Sequence, residues 1–342
     1  MCFAGAGGQE LVRNPTLLKI VSFLTQSADS DLKFWGAALL YNLSMMSGSY
    51  SDFLPHSSIL GLTCVDQMLQ HLLESNVIDI LARLLLDGRS SKVMATCSKT
   101  LITMSTKDAS VARRIELDLL PSLRGFFLAT GETFLSGNVT ISLGLIGTAD
   151  YLRGLIESLN IFSSNSKLRA LLTEDIPVLD QTLRCLLIPF LTGRAMSGIT
   201  PAEPQALDSA GSDRLSVGLS VPRGSVLSSP ESALLSPADS MLSPFGEGGF
   251  SPFELSLSEP DRATLRDAQV ALTCAATRLA RAFALSEAAC IYLCQQGILD
   301  SVAKLCLRYG RVNSVAVDGG ADELVDLGRQ SLILLSALVV NC

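Results

Sequence analysis

Histidine is almost missing from this chain: His56 and His71 are the only two in 342 residues. Histidine is the side chain whose ordinary pKa lies near neutrality, so general acid–base chemistry has little to draw on. Either one is a candidate member of a Ser-His-Asp or Cys-His arrangement, but neither has a Gly-x-Ser-x-Gly context, and a surface or part-buried histidine is the expectation. Tryptophan occurs once, at Trp35. Sustained alternation of apolar and polar residues is lacking, as is any Asn-Gly hairpin turn, and this argues against sheet. No apolar run reaches the roughly 20 residues a spanning helix needs; the longest, near Leu332–Val340, is interrupted by Ser336. A basic surplus is also lacking. Charged residues are 17% and the net charge is −7, so a nucleic-acid face is not expected. The first ten residues carry no basic start followed by an apolar core, so no secretory signal is visible and a cytoplasmic or nuclear location is expected.

Hydrophobic residues make up 48% of the chain, enough for a sizeable core. Nine cysteines, an odd number, are scattered at 2, 64, 97, 185, 274, 290, 294, 306 and 342, mostly inside apolar helical patterns. In a reducing compartment they read as small buried hydrophobes. Cys290 and Cys294 share a helix face, and Cys274 and Cys306 would have to join them to make a four-thiolate zinc site. The spacing has no Cys-x-x-Cys and the surroundings are aliphatic, so core packing is the expectation. Gly5–Gly8 lacks the Lys-Ser/Thr of a phosphate loop, and Asp318–Asp322 lacks further carboxylates at cation-loop spacing, so both read as turns. No cofactor or metal is expected.

One segment stands apart. Gly198–Pro260 holds eight of the 13 prolines and no lysine, and 195–260 carries eight acids against two bases. It has no sustained helical period, so it cannot bury enough surface to offset its chain entropy and is expected to be disordered. Within it, Ser229, Ser236 and Ser243 each precede proline at intervals of seven, and Ser251 follows eight later. Ser-Pro fixes an extended backbone that a proline-directed kinase recognises, so these four are candidate phosphorylation sites, each adding about −1.5 to −2 charge. Phe250, Phe253, Leu255 and Leu257 form a candidate linear motif, able to fold into a partner's groove or back onto this chain.

The flanks are helical in pattern. Leu17, Leu18, Val21 and Leu24 recur at helical spacing, Asp29–Asp31 supplies a stop and a new start, and a second helix follows over Leu32–Leu43. The same unit returns at Val77–Ser105 and at Leu119–Gly147, the latter with a break expected near Gly131. Later come Leu265–Leu285, Ser286–Gln295, Ile298–Tyr309 after Gly297, and Leu324–Val340. Asn42, Thr103 and Gly144 mark corresponding points 61 and 41 residues apart, with Ser47–Thr63 as an insertion in the first interval. Hairpins of this kind cannot each form a core alone; stacked, they bury a continuous one.

Leu17–Leu24 followed by Ala37-Ala38-Leu39-Leu40-Tyr41-Asn42-Leu43-Ser44 resembles the armadillo pattern, in which an apolar helix precedes one ending Ala-Leu-x-Asn-Leu. Gln296-Gly297-Ile298 through Leu305 resembles the Gly-Ile opening of that family's middle helix, and Asn76-Val77-Ile78 through Leu81 echoes it with Asn for Gly. The resemblance to armadillo/HEAT-like repeats implies an irregular α-solenoid of four or five degenerate repeats that binds extended peptides or helices. In the nuclear-import branch a Trp stands four residues before the Asn; here that residue is Ala38, Trp35 is seven before, and Thr103 and Gly144 replace the next Asn. A nuclear-localisation-signal receptor is therefore not implied.

The expected organisation is a flexible N-terminus at 1–10, repeats over 11–194, the acidic segment at 195–260 and repeats again over 261–342. The expected function is a non-catalytic scaffold or adaptor binding other proteins, with a subunit of a larger stable complex as the alternative and an enzyme third. The apolar character of the helix before Asn341–Cys342 suggests either a longer parent protein or a partner covering that end.

Overall fold

The computed structural model describes residues 15–46, 72–74, 76–87, 89–135, 142–191, 259–309 and 321–341. Most of these are helical, and no strand occurs among them. The helices are α1 (Pro15–Gln26), α2 (Ser30–Met46), α3 (Val77–Asp87), α4 (Ser91–Ser105), α5 (Ala109–Arg114), α6 (Leu120–Leu135), α7 (Ser142–Phe162), α8 (Ser166–Thr173), α9 (Ile176–Leu191), α10 (Glu259–Phe283), α11 (Glu287–Gln295), α12 (Ile298–Tyr309) and α13 (Ala321–Asn341). A π turn at Ile115–Leu119 joins α5 to α6. Pro121 lies just beyond it, where the ordinary i to i−4 ladder is already interrupted and a missing N–H costs little.

Local signals set the starts. Asp108 caps α5, its carboxylate accepting from the backbone N–H of Ser110 at 2.7 Å and Val111 at 3.2 Å. Asn165 caps α8 in the same way, accepting from Lys167 at 3.0 Å and Leu168 at 3.3 Å. The backbone turns into α3 and α12 through left-handed residues, Asn76 at φ 56° and Gly297 at φ 78°. Asn and Gly are the residues that tolerate this conformation best, so the two sequence positions share one local geometry.

Five long helices form a row. α2 packs on α4, α4 on α7, α7 on α10 and α10 on α13. Each is backed by the helix before it or nearly so: α1 on α2, α3 on α4, α6 on α7, α9 on α10 and α12 on α13. Residues 1–192 and 258–342 cluster as one compact unit, so the helices on both sides of the acidic segment share one core. The other unit, 193–257, lies outside the described residues.

The long helices end alike. Leu40, Leu43 and Ser44 are buried at the end of α2, Leu101 and Met104 at the end of α4, and Leu159, Phe162 and Ser163 at the end of α7. Ala280, Phe283 and Ala284 take these places in α10. Each terminal serine donates to the carbonyl three residues back: Ser44 to Tyr41 at 2.7 Å, Ser105 to Ile102 at 2.7 Å, and Ser163 to Asn160 at 2.6 Å. Long side chains then satisfy the last carbonyls from outside the helix, Lys107 at Ser44 and Asn341 at Ala284.

This register corrects two expectations. Gly144 lies in the first turn of α7, whereas Asn42 and Thr103 lie near the ends of α2 and α4, so it does not correspond to them. The buried residues place Ile161 there instead. Gly131 is no break: it is buried inside α6, where an added Cβ would sit 2.0 Å from Gln181 Nε2 of α9. The glycine serves a close helix approach. Finally, α10 begins at Glu259, slightly inside the segment expected to be disordered, of which 195–258 lies outside the described residues.

Candidate interaction surface

With the core register fixed, the opposite side of each long helix can be read. On α2 the exposed positions include Asp31, Trp35, Asn42 and Met45. Trp35 is 63% exposed and meets Phe34 edge-on, ring centroids 5.6 Å apart. Trp35 and Asn42 are seven residues apart, about two turns, and so share a face. The matching positions on α4 are Lys92, Thr96, Lys99, Thr103 and Thr106, and α4 contains no acidic residue. Ala38, Lys99, Glu157 and Arg278 occupy one equivalent position on four successive long helices, so charge of both signs lines this side.

Between α7, α10 and α13 these charges join into a ladder. Arg153 Nε donates to Glu157 Oε1 at 2.9 Å, one turn along α7, and Arg153 Nη1 lies 3.6 Å from Glu323 Oε1 on α13. Arg278 of α10 pairs with Asp326 of α13. Asp326 also accepts from Gln330 at 3.1 Å and from the Cys274 thiol at 3.1 Å, and Gln330 accepts from Arg281 at 3.1 Å. Small residues occupy this stretch of α10: Ala271, Cys274 and Ala275 are buried, and Cys274 lies within reach of the charges of Arg153 on α7 and Asp326 on α13.

The electrostatics follow from half-burial. Burial disfavours the Arg153 guanidinium, but its hydrogen bond to Glu157 and the charges of Glu157, Glu323 and Asp150 more than offset this and hold its pKa above the ordinary value. Burial likewise pushes Asp326 up, and the hydrogen bonds from Gln330, Cys274 and Arg278 outweigh it, leaving the carboxyl below its usual range. Cys274 is pushed up to about 12, first by burial and then by donating to Asp326. It is a protonated donor, with none of the thiolate character a nucleophile requires. The ladder consists of paired charges, most of them half-buried.

Of the residues singled out from the sequence, His56, His71, Ser229, Ser236, Ser243, Ser251, Phe250, Phe253, Leu255 and Leu257 lie outside the described residues. Cys97, Cys185, Cys274 and Cys290 are buried and Cys294 and Cys306 half-buried, none of these six in a disulfide. Cys290 approaches the Leu338 carbonyl at 3.8 Å and Cys274 faces Asp326, so the thiols have separate partners. Among the described residues no group of three His, Cys, Asp or Glu is placed to hold a metal ion, and no helix is long and apolar enough to cross a membrane. The ladder itself was overlooked in the sequence, although its signal was there: Arg278 and Arg281 interrupt a run of small residues in α10.

No family model, curated protein or solved structure matches this chain.

Proposed function

We propose that the chain is an armadillo/HEAT-like α-solenoid that acts as a non-catalytic scaffold, binding proteins along the exposed side of its long helices. The observation that carries this reading is the row α2, α4, α7, α10 and α13, each helix packed on the next and each backed by a shorter one. The tripartite order of short, middle and long helix supports it: α5, α6 and α7, then α8, α9 and α10, then α11, α12 and α13. Such a row offers a long ribbon of addressable side chains, which suits extended partners. The acidic segment between α9 and α10 is the regulatory element of this reading, phosphorylated at Ser229, Ser236, Ser243 and Ser251; phosphosite mapping in cells tests that part directly.

The main test replaces exposed residues only. Trp35→Ala combined with Lys92→Glu and Lys99→Glu leaves the core intact, which far-ultraviolet circular dichroism checks. Quantitative affinity purification should then lose specific partners relative to the wild-type chain. An identical set of co-purified proteins at identical abundance ends the reading for this face. A second reading, a permanently assembled subunit of a larger complex, is favoured by Phe23, Trp35, Val339 and Val340, which are 72%, 63%, 69% and 78% exposed. It predicts that the isolated chain aggregates, and that co-expression with its partner rescues it.

A further inference from the structure

We draw no further inference here: the strongest candidate, the exposed apolar face of α13 formed by Leu332, Ile333, Val339 and Val340, carries none because nothing in the structure shows what covers it.

Discussion

Asp150→Ala should destabilise the helical unit by about 2 kcal/mol, and the reason lies between two neighbouring long helices. Ser90, the residue before α4, makes no side-chain capping bond, so the first N–H groups of that helix need a partner from elsewhere. Asp150, in the middle of α7, supplies it. Its Oδ2 accepts from the backbone N–H of Ser91 at 3.1 Å and its Oδ1 from the Ser91 hydroxyl at 2.7 Å. A carboxylate at a helix N-terminus is further favoured by the helix dipole, by about 0.3–1 kcal/mol. Loss of a side-chain cap costs about 0.5–2 kcal/mol, and hydrogen bonds to a charged group contribute about 1.5–3 kcal/mol each when measured by deletion. These overlap, since the same two bonds are the cap, and the half-exposure of Asp150 lets water replace part of what is lost. About 2 kcal/mol is the result, or roughly 4–8 °C in Tm at about 2–4 °C per kcal/mol for a unit of this size. Urea denaturation of the wild type, Asp150→Ala, Ser91→Ala and the double variant gives the coupling. Ser91→Ala removes only the hydroxyl bond and should cost about 1 kcal/mol, with a coupling of about the same size. If Asp150→Ala unfolds within 0.5 kcal/mol of the wild type (about the scatter of surface changes), the cap is not supplied in trans and the α4–α7 contact is apolar packing alone.

Two further outcomes separate specific geometry from general helix preference. Gly125→Ala and Gly147→Ala, whose added Cβ meets nothing within 4 Å, should stabilise by up to about 1 kcal/mol, whereas Gly131→Ala should destabilise by about 1 kcal/mol net, because overpacking against buried Gln181 outweighs the same propensity gain; thermal melts of all three decide it. Acid should act through Asp326, whose carboxyl is held below its ordinary range: its contribution is fully present above about pH 4 and is lost as pH falls through the lowered folded value, so the wild type should lose more Tm than Asp326→Asn on going from about pH 5 to pH 3, and equal losses would show that Arg278, Gln330 and Cys274 do not hold it.

What could be read from the sequence divides along a physical line. Helices whose burial is set by one neighbour were visible, because a single apolar stripe repeats at 3.6 residues: Val77, Ile78, Leu81, Leu84 and Leu85 are all buried in α3, on the positions their spacing names. Gly297 and Asp29 marked boundaries because their local chemistry demands one. The long middle-row helices are different. They touch neighbours on several sides, so α10 buries Thr273, Thr277 and Gln269 along with its aliphatics and shows no clean stripe. Polar residues there are satisfied locally, Thr273 by the Gln269 carbonyl and Thr277 by that of Thr273, which hides them from any polarity count. Gly131 misled for the same reason. A glycine inside a helix signals either an end or a crossing, and only the partner, Gln181 some fifty residues away, tells which.

The ladder was harder still, because its meaning lies in a register between helices. Arg153 and Glu157 announce themselves as an i, i+4 pair, but nothing local connects them with Glu323, or Arg278 with Asp326. Those pairings lie beside a stretch of small residues on α10, whose terminal Phe283 and Ala284 repeat the ending of α7, fixing the height of one helix against the next. Once that height is fixed, Ala38, Lys99, Glu157 and Arg278 fall into one line. A shift of one residue in any of the four helices would turn its member about 100° away from the shared face, since each residue advances the helix by that angle. The buried endings Leu-x-x-Leu-Ser, Leu-x-x-Met-Ser and Leu-x-x-Phe-Ser therefore specify the exposed surface as much as the core. If the scaffold proposed above is correct, substitutions in them should alter the set of proteins recovered by affinity purification even though the exposed residues are unchanged, because they rotate the faces held in register.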